Sequence, residues 1–297
     1  MAKIIECIPN FSEGRDKEKV ERLAACVRSY PGVTLLNDSS DESHNRSVFT
    51  LLGEPDGVAE AAFALAKLAS ELIDLTKHTG EHPRMGAVDV IPFVPIQEAT
   101  ADDCVQISKA VGARIGSELG IPVFLYEDSC TAEHRRNLAS VRKGQFEGMP
   151  EKLKKPEWAP DFGPREAHPT AGVVAVGARM PLVAFNVNLS TSDVKIADKI
   201  AKIVRGSGGG LKYCKAIGVI LDERNTAQVS MNMVNYEGTP IYRAVELVRV
   251  EAARYGVRVI GTELIGLTPA KALIDCAEYY LQIENFDFGK QVLENYL

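Results

Sequence analysis

Cysteine pairs, long apolar runs and a dominant charge sign are all missing from this chain of 297 residues. The six cysteines, at 7, 26, 104, 130, 214 and 276, show no C-x-x-C spacing. A chain of this size builds a core without disulfide staples, so they read as small core residues in a reducing cytosol. The first residues, Met-Ala-Lys-Ile-Ile-Glu-Cys-Ile-Pro, lack a basic region followed by an apolar stretch and do not read as a signal peptide. The most apolar segment, 172–189, is broken by Arg179 and Pro181 and makes a poor membrane span. Lys and Arg number 34 against 40 Asp and Glu, a net charge of -6. No general attraction to nucleic acid or an acidic membrane follows, although a local basic pocket remains open. What is present, 45% hydrophobic and 25% charged residues, is ordinary globular composition.

The chain carries an internal repeat. Residues 3–8 read as an Ile-rich strand, and 16–30 as a helix with Val20, Leu23, Ala24 and Val27 on one face. Residues 33–36 read as a strand, 37–45 as a polar loop and 47–52 as a second strand. An Ala/Leu-rich helix to about residue 75 and a strand over 88–94 complete a β-α-β-β-α-β order. The same order recurs with a strand at 182–188, a helix at 194–205, strands at 214–221 and 227–234 around the polar loop 222–225, a helix to 255 and a strand at 257–261. Asn10-Phe11-Ser12 echoes Asn188-Leu189-Ser190. The expected fold is α+β, a tandem duplication of two ferredoxin-like βαββαβ subdomains, 1–178 and 179–297, with helices over one face of each antiparallel sheet. Between the repeats, 101–119 reads as a helix, 122–126 as a strand and 131–138 as a short basic helix. The Pro-, Gly- and Lys-rich stretch 143–172 reads as an ordered excursion packed on Trp158 and Phe162. A helix near 269–282 precedes a polar tail.

The densest chemistry lies in His78-Thr-Gly-Glu-His82-Pro-Arg-Met-Gly86, which sets two His, a Glu and an Arg on one loop. Histidine is the natural proton carrier near neutrality. Arg84 suits a substrate carboxylate, and Glu81 could tune the histidine. Three readings compete: a solvated polar loop, a metal site and an acid/base centre. Gly80 and Pro83 work against the continuous helix that a His pair at i, i+4 needs for zinc, and no third ligand is near. The plain loop and the acid/base centre both stand. The polar loop 37–46 has the same double reading: a hairpin turn, or a wall carrying Asp38, His44, Asn45 and Arg46. Gly206-Ser-Gly-Gly-Gly210 follows a helix rather than a strand, so it is a connection and not a phosphate loop. Lys152, Lys154 and Lys155 read as a solvated face that could also meet a glutamate tail.

Cys7-Ile-Pro-Asn-Phe-Ser-Glu-Gly14, the stretch from His78 to Asp89, Trp158-Ala-Pro-Asp-Phe-Gly-Pro164, Ala184-Phe-Asn-Val-Asn-Leu189 and Leu221-Asp-Glu-Arg-Asn225 together resemble the glutamate formiminotransferase family. The resemblance covers nearly the whole chain and extends to the formiminotransferase part of the bifunctional formiminotransferase-cyclodeaminase. It implies a free-standing, cytoplasmic transferase of one-carbon metabolism in histidine degradation. Such an enzyme moves the formimino group of N-formimino-L-glutamate to N5 of tetrahydrofolate, the cosubstrate, with no metal. Transfer from 5-formyl-tetrahydrofolate is the alternative. The resemblance places the catalytic histidine at His82 and the folate-contacting segment at 163–172, with Gly163, Pro164, Arg165 and Gly172. Asn186 falls in a matching motif. An acidic residue of the family's first polar loop aligns with Ser39, one place from Asp38. Asp38, Asp222 or Glu223 is expected to steady the cationic formimino group or orient the imidazole, and Arg46 or Arg84 to grip a carboxylate. A homodimer and a positive tunnel between the subdomains are also implied.

Overall fold

The structure is a computed structural model that describes residues 2–80 and 82–296. It divides into two compact units, Met1–Arg179 and Met180–Leu297, each with its own buried apolar core.

The first unit opens with β1 (Ile4–Cys7) and β2 (Asn10–Phe11), two halves of one line of chain interrupted at Pro9. Helix α1 (Lys17–Arg28) follows. Asp16 caps it by accepting from the Glu18 and Lys19 amides, and Val20, Leu23, Ala24 and Val27 are buried. Strands β3 (Val33–Asp41) and β4 (Arg46–Gly53) form a hairpin. Helix α2 (Pro55–Leu72), which starts on Pro55, and β5 (Val88–Gln97) complete the motif. The strand order β3–β4–β1/β2–β5, antiparallel throughout, is that of a split βαβ.

The expected loop at 37–45 is mostly strand, because residues 37–41 continue β3 in register with β4. On an edge strand the ladder satisfies the backbone while polar side chains face water, so composition hides the pairing.

This sheet is not purely antiparallel. After α3 (Ala101–Glu118), capped by a reciprocal Thr100–Asp103 box, β6 (Val123–Glu127) and then β7 (Val174–Ala178) join it in parallel, in the order β5–β7–β6. Between them, 131–138 holds only a single tight turn at Glu133–Arg135. The helix begins later, as α4 (Leu138–Arg142), where Asn137 accepts from the Ala139 amide. Helix α5 (Gln145–Leu153) lies within the Pro- and Gly-rich excursion. Val123, Leu125, Val174 and Val176 face the main core, while Phe124, Tyr126, Ala175, Val141, Met149 and Leu153 build a smaller one. The parallel strands are thus covered on both faces, as such strands require.

The second unit repeats the motif: β8 (Val183–Leu189), α6 (Val194–Val204), β9 (Cys214–Leu221), β10 (Thr226–Met233), α7 (Ile241–Ala253) and β11 (Val259–Ile265), in the order β11–β8–β10–β9. Helix α8 (Ala270–Leu281) and the short α9 (Phe288–Gln291) follow. No described helix is long and apolar enough to cross a membrane.

Candidate active site

Strand alternation decides what can meet His82. In β4, Ser47, Phe49 and Leu51 point into the core, so Arg46 projects from the opposite face. There its guanidinium meets two residues from other elements, donating from Nη1 to His82 Nε2 and from Nη2 to the Asn10 side-chain oxygen. Since Arg46 is the donor, the neutral His82 ring presents its Nε2 lone pair to Arg46 and carries its proton on Nδ1. A small cleft here is lined by Phe11, Ser12, His44, Asn45, His78, Arg84 and Asp89 besides the pair itself. Asp89 accepts from the Met85 amide at 2.7 Å and pairs with Arg142 of α4 at 2.5 Å.

Two partly buried guanidiniums against one carboxylate set the electrostatics. Burial, then Arg46, Arg142 and His44, push His82 down to about 3, opposed by a hydrogen bond to the Pro83 backbone. Burial likewise lowers Arg46 to about 10, while Asp89 favours its charge and Arg142 disfavours it. The imidazole is therefore neutral and the guanidinium charged.

The loop that carries His82 is tied down on both sides. Gly80 packs so closely on the hairpin that a Cβ would lie 2.5 Å from the His44 carbonyl oxygen. On the other side, the Val173 amide donates to Met85 O at 3.0 Å and the Ala87 amide to Ala171 O at 2.9 Å. The expected folate segment thus ends against the histidine loop. Within it, Gly172 has φ +68, and a Cβ there would lie 2.2 Å from Met85 O, so its absence of a side chain serves packing. Gly163 (φ +85) packs on Gly116 of α3, and Pro164 and Arg165 are exposed beside it, with Arg165 donating to Lys155 O.

One expected assignment is corrected. Asp38 sits opposite Phe49 in the β3–β4 ladder, so it projects on the other face of the sheet from Arg46 and pairs with Arg28 of α1 at 3.4 Å. It does not reach His82. Arg84 lines the cleft and is held bidentately by the exposed Glu147 at 2.8 and 2.6 Å. In the second unit, Asp222 and Glu223 are exposed in the β9–β10 turn, and Asn186 lies in β8 opposite Ser230 and Glu263. Glu81 lies outside the described residues.

Sequence reasoning missed Arg142 and Asn10 as neighbours of the pair, although Asn10 and Asp89 lie inside the quoted motifs. A buried Asn at a strand break and an Asp in an apolar strand were the available signals. It also missed a network in the second unit. There Glu263 accepts from Asn188 (3.1 Å), Gln228 (3.0 Å) and Arg224 (2.6 Å), and these bonds, led by that from Asn188, hold its carboxyl below the usual range.

Comparison with known proteins agrees with this architecture. The family profile described as "Formiminotransferase domain, N-terminal subdomain" matches residues 4–179, and "Formiminotransferase domain" matches 184–292. The chain belongs to the formiminotransferase family. It is 68% identical over its full length to the "Glutamate formimidoyltransferase" of Streptococcus pyogenes serotype M1, covering 99% of that protein. Identity to the protein of the same name from Thermoplasma acidophilum is 48%, over 96% of this chain and 95% of that one. The chain is also 44% identical, over 96% of its length, to the "Formimidoyltransferase-cyclodeaminase" of Gallus gallus, of which it covers 53%.

Proposed function

We propose that the chain is a glutamate formimidoyltransferase that moves the formimino group of N-formimino-L-glutamate to N5 of tetrahydrofolate, releasing L-glutamate. The single observation that carries the reading is the Arg46–His82 pair, in a family whose full-length relatives bear that name.

The folate nitrogen loses a proton as it attacks the formimino carbon, and the departing glutamate nitrogen gains one. One imidazole can take the first and return the second. His82 has the neutral ring for this, but its Nε2 lone pair is occupied by Arg46, and a base held near 3 is a weak acceptor at neutral pH. A substrate carboxylate that draws the Arg46 guanidinium to itself eases both obstacles. It frees Nε2 and offsets one of the charges that, after burial, depress the ring. Arg46 therefore both binds the carboxylate and couples binding to the appearance of the base. Asp89, neutralised in part by Arg142, takes the place expected of Asp38 near the cationic formimino group. The exposed stretch from Gly163 to Arg165, tied through Gly172 to the histidine loop, is the folate contact. Much of the rate comes from holding two substrates in attack geometry. We assign the working form as a homodimer in the cytoplasm; the exposed Ile260, Leu264 and Ile265 of β11 support the pairing of two copies.

The test mixes the purified chain with tetrahydrofolate and N-formimino-L-glutamate and follows glutamate release with 5-formimino-tetrahydrofolate formation. Turnover is expected, and its loss by about 100-fold or more in His82→Ala at little change in folate affinity assigns the base. Undiminished turnover in that variant removes His82 from the mechanism. Turnover only with 5-formyl-tetrahydrofolate removes the donor assignment.

A further inference from the structure

We propose that His78 is a positioning residue, a strut that holds the Arg46–His82 pair together through the backbone of Asn45. The proposal rests on the reading of His82 as the acid/base group.

Arg84 Nε donates to His78 Nδ1 at 3.2 Å. An acceptor at Nδ1 puts the ring proton on Nε2, and Nε2 lies 3.0 Å from the carbonyl oxygen of Asn45. The ring thus spans two fixed points in one tautomer. Its far anchor is held in turn, because Glu147 grips Arg84 with both oxygens. Its near anchor needs holding. Asn45 is buried with φ +50, a left-handed backbone that Asn adopts more readily than other residues with side chains and that its bonds fix here. The Asn45 side chain adds two further ties, accepting from the Gly14 amide at 3.0 Å and donating to Thr79 O at 2.9 Å. The next residue is Arg46, so the turn at Asn45 sets where the guanidinium emerges from β4. Burial keeps His78 below its ordinary value, opposed by the Asn45 bond. A protonated ring would turn a second N–H toward the Arg84 guanidinium, donor against donor. The Glu–Arg–His–carbonyl chain acts through the backbone of Asn45. Its effect is on the group that reaches the reacting atoms.

The experiment uses the full chain, with His78→Leu, His78→Gln and Glu147→Gln. His82 ring titration is followed by NMR alongside steady-state formimino transfer. In the wild type, His82 is expected to remain neutral across about pH 5–8. In His78→Leu its titration rises into that window, kcat falls about 100-fold, as for a misplaced catalytic group, and KM for N-formimino-L-glutamate rises with it, because Arg46 also holds the substrate carboxylate. Gln can accept from Arg84 and donate to Asn45 O, so His78→Gln is expected to restore both readouts. Glu147→Gln, a surface change, shifts the His82 titration in the Leu direction and decides the matter should the Leu variant not fold. A His82 titration unchanged in His78→Leu and Glu147→Gln overturns the proposal. So does a His78→Gln protein that melts like the wild type yet is as impaired as the Leu variant. Absence of formimino turnover in the wild type would remove the functional reading alone, because the titration reports the strut whatever the reaction.

Discussion

At the scale of single residues, the site turns on two neutral histidines, and this has a consequence for acid stability. His82 is held at about 3 and His78 also lies below the ordinary 6.5. Below pH 6.5 the unfolded chain therefore binds protons that the folded chain refuses. Stability from these groups is full above the unfolded value and is lost as pH falls toward the folded ones. The carboxylates held low by partners, such as Asp41 and Glu147, have ordinary values of 3.8 and 4.5 and act at lower pH. The urea midpoint should accordingly decline between about pH 6.5 and 5, and His82→Gln should flatten that decline. A wild type and variant of equal slope would show that His82 is protonated in the fold. Arg46 shows why such a site is only half legible in sequence. Its residue type and its neighbourhood in a polar turn were visible, but its meeting with His82 depends on which face of β4 it occupies. The same alternation sent Asp38 to α1, a distinction of one residue that polarity alone cannot carry.

Among the elements, α4 has a support that its sequence disguises. Lys152 reads as part of a solvated charge run, yet it is buried. Its ammonium donates to the carbonyls of Ser140, Val141 and Lys143 at 2.7, 2.5 and 3.1 Å. These are the end of α4 and the residue after it, where a cation also opposes the negative end of the helix dipole. The same group lies 3.8 Å from the centre of the Trp158 ring. Lys152→Met keeps the stem and removes the cap, so it should cost about 2 kcal/mol in unsatisfied carbonyls. Trp158, the only tryptophan, should report the change by fluorescence. Because Arg142 ends α4 and pairs with Asp89, kcat should fall with it. Unaltered emission and melting would mean that α4 does not depend on this cap. The elements hidden from sequence have two causes. Strand β7 is buried on both faces and lacks alternation, while α4 and α5 are short and lie among Pro, Gly and Lys. The long amphipathic helices and alternating strands of both repeats carried their periods openly, and apart from the end of β3 the structure moves their ends by four residues at most.

For the whole molecule, duplication was readable because the order of elements repeats, whereas the extension of the first sheet by β6 and β7 has no counterpart in the second unit to reveal it. The asymmetry also divides the chemistry. Neutral His82, Arg46, Asn10, Asp89 and Arg142 all belong to the first unit. The second carries the Asn188–Gln228–Glu263–Arg224 network on strands β8, β10 and β11 and in the turn before β10. Its core, from Val183 and Val187 through Ile200 and Val229 to Val248, is closed within the unit. A closed core and a complete four-stranded motif are what independent folding requires. Residues 180–297 expressed alone should therefore give a cooperative urea transition by circular dichroism. They should catalyse no formimino transfer, since the proposed proton carrier is absent. A fragment that unfolds without cooperativity would show that the second unit takes part of its stability from the first. Turnover by the fragment would move the acid/base group out of the cleft around His82 altogether, and the Glu263 network would be the place to look for it.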